Sequence, residues 1–195
     1  MSPYILALLI GVAGRFSPAG SGLPASDSRS VVLAGGCFWG VEAVFEHLRG
    51  VKSVTSGYAT PDGNDRKGFA EAVRIVYDPA QIRYEQLLQV FFLVAHDPTQ
   101  VDRQGPDVGP RYRSIVFVAD DDERRIVSGY LDSLRTHGTF TAPIATEIAP
   151  LRSFRIAEDF HQDYAEHHPQ AAYVVVNDLP KLAALRRRFP ALYRQ

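Results

Sequence analysis

The chain of 195 residues has one cysteine, Cys37, one tryptophan, Trp39, and one methionine, Met1. A single cysteine excludes an intramolecular disulfide, whether structural or catalytic, because a disulfide joins two thiols. The formal net charge is only −1, so no excess of charge indicates nucleic acid or an acidic surface as a partner. The remaining composition, 46% hydrophobic and 22% charged, is that of an ordinary globular protein.

A long hydrophobic run is also lacking. The apolar stretch at residues 4–13 is too short to span a bilayer, although it has the length of the hydrophobic region of a signal peptide. No Lys or Arg precedes it, and the residues that follow are rich in Gly, Ser, Pro and Ala. Residues 1–30 are therefore either a leader or a flexible extension. The protein is expected to be periplasmic or exported if residues 1–25 act as a signal, and cytoplasmic otherwise. Residues 31–195 are predicted to form a single domain.

The hexapeptide at residues 35–40, Gly-Gly-Cys-Phe-Trp-Gly, contains both Cys37 and Trp39. A short apolar run of strand type, residues 31–34, precedes it. Apolar residues with the spacing of one helix face follow it: Val41, Val44, Phe45 and Leu48. The glycines therefore predict a turn from strand to helix, with Cys37 at or near the helix N-terminus.

This position predicts a reactive thiol at Cys37. Unpaired N–H groups and the positive end of the helix dipole favour an anion, and such a site lowers a thiol pKa below its usual ~8.5. The thiolate is the nucleophilic form of cysteine. The alternative is a small buried side chain without reactivity. The flanking glycines and the adjacent aromatic pair favour the reactive thiol.

The hydrophobic pattern after Gly50 predicts an α+β fold. Strands are predicted at residues 51–58, 69–77 and 114–119, and a buried helix at residues 84–95. With the first strand and helix, this order is β-α-β-β-α-β, the split βαβ core of a ferredoxin-like fold. A C-terminal helical extension is predicted beyond this core: a helix opened by the acidic residues 120–123, one more strand at 144–148, and helical stretches within 154–168 and 178–188.

Glu71 lies on the same predicted strand face as Val73 and Ile75. If that face is buried, the carboxyl pKa rises and the group becomes a general acid near neutral pH. The alternative is an exposed glutamate on a half-buried strand. The residues alone leave both interpretations open.

Three motifs resemble those of the type A peptide methionine sulfoxide reductases. The first is Gly-Cys-Phe-Trp-Gly at residues 36–40. The second, Gly-Phe-Ala-Glu at residues 68–71, is similar to the Gly-x-Ala-Glu of that family, and the third is Arg-Gln-Gly-Pro-Asp-Val-Gly-Pro-Arg-Tyr-Arg-Ser at residues 103–114. With shorter matches, the resemblance covers roughly residues 31–170.

The resemblance implies a reaction and the residues that perform it. Cys37 attacks the sulfur of the S epimer of methionine sulfoxide and is left as a sulfenic acid. Glu71 protonates the sulfoxide oxygen. The resemblance also implies two further catalytic residues and an apolar wall for the S-methyl group: Asp107 and Tyr112, and Phe38 with Trp39. Oxidised proteins, peptides or free methionine sulfoxide are the implied substrates, and the family suggests a monomer.

The chain departs from the family pattern at several points. The segment between Tyr58 and Gly68 is shorter than usual and lacks a tyrosine that bonds the sulfoxide oxygen, unless Tyr58 replaces it. Phe69 stands where His is usual, and Pro106 where Asn is usual. No second cysteine is present to resolve the sulfenic acid. We therefore expect no bound cofactor, and an external thiol reductant such as thioredoxin, glutathione or glutaredoxin.

Other functions stay open at this stage. The chain could be a non-catalytic descendant that binds methionine sulfoxide or a partner, which the shortened loop favours. It could also be a one-cysteine peroxidase or thiol redox protein, since a thiol of low pKa reacts with peroxides. A metal site is not expected: His161, His167 and His168 lack a cysteine or carboxylate cluster that would complete a ligand set, and they are interpreted as solvated or capping histidines.

Overall fold

The first strand and the first helix meet at the glycine turn, as predicted. Strand β1 (Arg29–Gly35) ends in five buried residues, and helix α1 (Phe38–Glu46) begins directly after Cys37. The predicted apolar face of α1 is buried: Val41, Val44, Phe45 and Leu48 are each at most 1% exposed. The 3.6-residue period of an α-helix explains why the three side chains within α1 share one face, whereas Leu48 follows just after the helix ends.

The structure is a computed structural model that describes residues 28–62 and 67–194. Residues 1–27 of the predicted leader or extension lie outside the described residues, and the last two of its thirty residues already belong to β1. After α1, the chain forms strands β2 (Val51–Pro61) and β3 (Ala70–Tyr77), then helix α2 (Tyr84–Val90), which continues as a π-helical turn, Phe91–Ala95. The remaining elements are β4 (Arg103–Gln104), β5 (Asp107–Val108), β6 (Ser114–Val118), α3 (Asp121–Thr136), β7 (Glu147–Ile156), α4 (Tyr164–His167) and α5 (Leu179–Arg188).

Five strands of the described chain close into a barrel in the order β1-β3-β2-β7-β6. Neighbouring strands are antiparallel, except that β6 and β7 run parallel. Alternate residues of β1 point in opposite directions, so Val31 and Leu33 join the core beneath the helices. Val32 and Ala34 join a second cluster of strand residues inside the barrel. Four members of that cluster have small side chains, which fit the narrow interior of the barrel: Ala34, Ala59, Ala70 and Ala72.

The prediction of an α+β protein is confirmed, but the C-terminal part differs from expectation. The strand predicted at residues 144–148 is instead β7, which runs through Ile156. Its first residues, 147–150, pair with β6, and residues 151–156 pair with β2, so the start of the stretch 154–168 is extended. The helical stretch predicted within 154–168 is the short helix α4, preceded by the 3-10 turn Asp159–His161. No helix in the described part of the chain is both long and apolar enough to cross a membrane.

The acidic run before α3 caps that helix, as predicted. Asp120 accepts a hydrogen bond at 2.8 Å from the backbone N–H of Glu123. The Glu123 carboxylate in turn accepts one at 2.8 Å from the backbone N–H of Ala119. Such contacts satisfy N–H groups that have no partner within the helix, so these carboxylates are structural.

Candidate active site

The turn before Cys37 requires glycine because a loop lies directly against it. Gly36 has a φ of +94°, and a Cβ there would lie 2.4 Å from the Cγ of Gln104. Gln104 is held in place by its side-chain amide, which bonds both the N–H and the carbonyl of Asp97, at 3.1 and 3.0 Å. The glycine therefore lets the 103–114 loop approach the thiol.

Cys37 is buried, with 9% exposure, at the start of α1. The predicted lowering of its pKa is wrong: burial, and next the negative charge of Glu71, raise the pKa of the thiol to about 12. Hydrogen bonds from the Trp39 backbone N–H and the Tyr173 hydroxyl lower the pKa but do not outweigh these effects. Desolvation penalises the thiolate more than the helix terminus stabilises it. Cys37 is therefore a protonated thiol at neutral pH in the free protein.

Glu71 is the buried carboxyl that one of the two interpretations predicted. Glu71 lies on β3 and is only 8% exposed. Its Oε2 accepts a long hydrogen bond, 3.4 Å, from the backbone N–H of Phe38. Burial is the main effect that raises the pKa of Glu71 to about 7, and the negative charge of Asp107 adds to it. The Phe38 N–H and Arg111 oppose this rise. A carboxyl with this pKa donates a proton near neutral pH.

The long loop brings Asp107 and Tyr112 to the same place. Asp107 begins β5, and Tyr112 ends the 3-10 turn Pro110–Tyr112. Burial raises the pKa of Tyr112, and so do the charges of Glu71, Asp107 and Cys37, which shows that the four groups are neighbours. All four predicted catalytic residues are thus assembled from three separate stretches of sequence.

The aromatic wall consists mainly of Trp39, because Phe38 is only 2% exposed and belongs to the core. The Trp39 ring stacks on Tyr164, with centroids 3.6 Å apart and an angle of 11° between the planes. Its indole Nε1–H donates to Nδ1 of His161 at 3.2 Å. Tyr173 meets the same ring edge-on, with centroids 5.6 Å apart. The indole is therefore fixed in orientation by three C-terminal side chains.

Sequence reasoning missed those three residues. The pattern predicted His161 to be a solvated or capping histidine, and it did not single out Tyr164 or Tyr173. The hydroxyl proposed as a substitute donor, that of Tyr58, instead donates to Glu158 at 2.9 Å. The tyrosine whose hydroxyl bonds Cys37 is Tyr173. No periodicity signals these positions, since they lie in a segment of short turns.

An ion pair within the C-terminal segment packs against the start of α1. Asp178 is 1% exposed, and its Oδ1 lies 3.2 Å from Nζ of Lys181. The pair packs against Gly40, where an added Cβ would lie 2.0 Å from Asp178 Oδ1. The second glycine of the Gly-Cys-Phe-Trp-Gly motif is therefore a packing requirement, which explains how Tyr173 is brought beside Cys37.

One carboxylate cluster of the described residues has the geometry of a metal site: Glu42, Glu46 and Asp163 each offer an oxygen within 4.8 Å of the others. Glu42 already accepts hydrogen bonds from the backbone N–H groups of Ser56 and Asp163, at 3.2 and 2.9 Å. Burial raises the pKa of Glu42 to about 7 and that of Glu46 to about 9. These side chains tie α1 to its neighbouring segments, and we assign the cluster a structural role.

Comparison with known proteins identifies the family. Residues 29–192 match the family model described as peptide methionine sulfoxide reductase. The chain belongs to this family. As a family member it is an oxidoreductase, a peptide-methionine (S)-S-oxide reductase.

Similar reductases occur in several organisms. Peptide methionine sulfoxide reductase MsrA 2 of Mesorhizobium japonicum is 46% identical over 180 residues, which cover 88% of this chain and 92% of that protein. Among solved structures, Mxr1 of Saccharomyces cerevisiae in its reduced form is 30% identical, with a TM-score of 0.67, and the match covers 76% of this chain and 89% of that one. Mxr1 in complex with Trx2 matches with a TM-score of 0.54 and 28% identity, over 73% and 87% of the two chains.

Proposed function

We propose that Cys37 is the nucleophile and Glu71 the acid with which this reductase converts the S epimer of methionine sulfoxide to methionine. The observation that carries this proposal is the burial of the thiol and the carboxyl side by side at the start of α1. Glu71 interacts electrostatically with Cys37 and accepts the N–H of the adjacent Phe38. A pKa of about 7 keeps a large share of Glu71 protonated when substrate binds.

The reaction transfers the sulfoxide oxygen to cysteine. Sγ of Cys37 forms a bond to the sulfoxide sulfur while Glu71 protonates the oxygen, which weakens the S–O bond. The oxygen then passes to Sγ, the bond between the two sulfurs breaks, and methionine leaves. The cysteine sulfur is oxidised to sulfenic acid and the substrate sulfur is reduced to a thioether, so two electrons change place.

The neighbouring residues bind and polarise the substrate. We assign the partly exposed Trp39 to the S-methyl group; the buried Phe38 packs edge-on against His161, which also holds the indole. Tyr112 donates its hydroxyl toward the sulfoxide oxygen, since its charge interactions place it beside Glu71 and Cys37. The negative charge of Asp107 favours the protonated form of Glu71. These side chains meet because the end of the barrel and the 103–114 loop lie next to each other.

The sulfenic acid requires an external thiol. Cys37 is the only cysteine, so a thiolate from another molecule must attack Sγ, with water as the leaving group. A second thiol then releases Cys37 from the mixed disulfide. The complex of Mxr1 with Trx2 supports a thioredoxin as this reductant. Glutathione and glutaredoxin supply the same chemistry, and we expect the enzyme to act as a monomer with no bound cofactor.

A single-turnover assay tests the proposal. Reduced protein is mixed with a peptide containing the S epimer of methionine sulfoxide, without added reductant. We expect one methionine per protein, and a gain of one oxygen on the protein that mass spectrometry assigns to Cys37. Met1 is the only other oxidisable sulfur, so the assignment is simple.

The controls separate the rival functions. Cys37→Ser and the R epimer should both yield no methionine. If folded, reduced wild-type protein yields none from the S epimer, the catalytic proposal is wrong and a binding role is favoured. Faster oxidation of Cys37 by hydrogen peroxide than by the sulfoxide would instead favour a peroxidase.

We also infer that the barrel contains a split βαβ unit of ferredoxin-like type. The order β6-β1-β3-β2 and the antiparallel pairing of these strands support this inference. In such a unit the start of α1 and the start of β3 lie at the same end of the sheet, because β1 and β3 are antiparallel neighbours. That arrangement accounts for the meeting of Cys37 and Glu71, and β7 closes the sheet beyond it.

A further inference from the structure

Tyr173 is held rigidly beside the thiol. It directly precedes a π-helical turn, Val174–Asp178, whose two terminal residues are almost completely buried. The Tyr173 ring lies edge-on against Trp39, at 88° to the indole plane. Because both the backbone and the ring are fixed, the hydroxyl has a defined position in the site.

The hydroxyl of Tyr173 lies between two groups of the active site. It donates a hydrogen bond to Oδ2 of Asp107 and also interacts with the thiol of Cys37. A hydroxyl has one proton and two lone pairs, so while Tyr173 donates to Asp107 its oxygen can accept the S–H of Cys37. Once the thiol proton has moved onto the tyrosine, the hydroxyl donates to the thiolate, and this is the contact that lowers the thiol pKa. The three groups therefore form a chain from thiol to hydroxyl to carboxylate.

The proposed reaction needs such a chain. Cys37 is protonated in the free protein, whereas the attacking form is the thiolate. Glu71 cannot accept the thiol proton while it delivers its own proton to the sulfoxide oxygen. A second acceptor must therefore face the sulfur from another side. Tyr58 does not fill this place, since its hydroxyl donates to Glu158.

We propose that Tyr173 is a catalytic residue that relays the proton of Cys37 to Asp107; this inference rests on the function proposed above. As Sγ attacks the sulfoxide, the S–H bond breaks, a new O–H bond forms on Tyr173, and the proton that the tyrosine held passes to Asp107. The substrate oxygen takes its proton from Glu71. After the step Asp107 is protonated and Glu71 ionised, and exchange with water restores both.

The first test is the single-turnover rate of Tyr173→Phe with the S-epimer peptide. The phenyl ring keeps the contact with Trp39, so half-saturation should occur at the wild-type peptide concentration. The maximal rate should fall about 100-fold, the lower range for loss of general acid–base catalysis. Tyr193→Phe is the matched control, because that tyrosine stacks on His47 and touches none of the relay residues. It should react at the wild-type rate.

Asp107→Asn provides the second test, because its amide oxygen still accepts the hydroxyl but cannot take up a proton. If the two residues act in one relay, the double variant Tyr173→Phe/Asp107→Asn should be no slower than the slower single variant. Multiplied losses in the double variant would overturn the relay. Thermal unfolding shows whether each variant folds, and Asp107→Asn decides the question if Tyr173→Phe does not.

The outcomes separate the two proposals. Absence of methionine with wild-type protein contradicts the proposed function itself. Methionine formation by the wild type, with Tyr173→Phe within about threefold of its rate, contradicts only the relay. A selective rise in the half-saturating peptide concentration, with an unchanged maximal rate, would show that Tyr173 only shapes the binding wall.

Discussion

The active site has two halves that are built in different ways. The thiol and the acid belong to the barrel: Cys37 follows β1, and Glu71 lies within β3, both held by continuous backbone hydrogen bonds. The C-terminal half, which contains His161, Tyr164 and Tyr173, has only short helices and turns. Its residues are placed by side-chain contacts with Trp39 and α1.

The two halves also contribute differently to the reaction. The barrel half supplies burial, which raises the pKa of both Cys37 and Glu71. The C-terminal half orients the indole of Trp39 and supplies the hydroxyl at the thiol. We therefore expect substitutions in the barrel half to change rates and protonation, and those in the C-terminal half that touch only Trp39 to change substrate binding.

The largest effect should come from Glu71→Gln. Loss of the acid should slow the single turnover at pH 7 by about 100- to 1000-fold. The same change should speed alkylation of Cys37. It removes the negative charge of Glu71, which is the second-largest cause, after burial, of the raised thiol pKa. Iodoacetamide labelling against pH measures this second effect. A decrease in both rates would indicate a distorted site instead.

The stability of the protein should respond to Glu71 with a defined sign. Burial raises the pKa of Glu71 in the folded protein from 4.5 to about 7, so the folded state holds the extra proton between these values. Stability therefore falls as pH rises through this window, and the full cost is present above pH 7. The free energy of unfolding of Glu71→Gln, measured in urea relative to that of wild type, should therefore be about 3 kcal/mol higher at pH 8 than at pH 4. A difference that does not vary with pH would contradict the assignment.

Gly40→Ala should disrupt the packing of the C-terminal half against α1. The new methyl group would meet the buried Asp178 carboxylate, and such overpacking costs about 1–3 kcal/mol of unfolding free energy. The matched control is Gly129→Ala in α3, where a Cβ meets nothing within 4 Å. That variant should gain about 0.5–1 kcal/mol from helix propensity. Equal stabilisation in both variants would show that Asp178 is not packed against the turn.

The smallest effect should come from His161→Phe. The substitution keeps an aromatic ring beside Phe38 but removes the acceptor for the Trp39 indole N–H. The lost hydrogen bond contributes about 1 kcal/mol to the binding site that Trp39 forms. Its loss should raise the half-saturating peptide concentration about fivefold without changing the maximal rate. His137→Phe, on the exposed end of α3, is the control. A lower maximal rate in His161→Phe would assign the histidine to the chemistry.

Local patterns in the sequence determined the strand–turn–helix at Cys37, the buried face of α1, the cap of α3 and the α+β class. Each depends on residues near one another in the chain, so periodicity and capping rules apply directly. The motif resemblance brought Glu71, Asp107 and Tyr112 to attention as well. Burial of Glu71 remained open because a strand face is buried only when something packs on it.

The tertiary structure alone decided three matters. It extended β7 through Ile156, because pairing with β2 outweighs local helix preference. It raised the pKa of Cys37, because desolvation and the nearby Glu71 carboxylate act across the fold and outweigh the local helix terminus. It also placed Tyr173 at the thiol, 136 residues along the chain (173 − 37), through the packing of Asp178 against Gly40. Contacts between such distant segments depend on how whole elements dock, which no local pattern encodes.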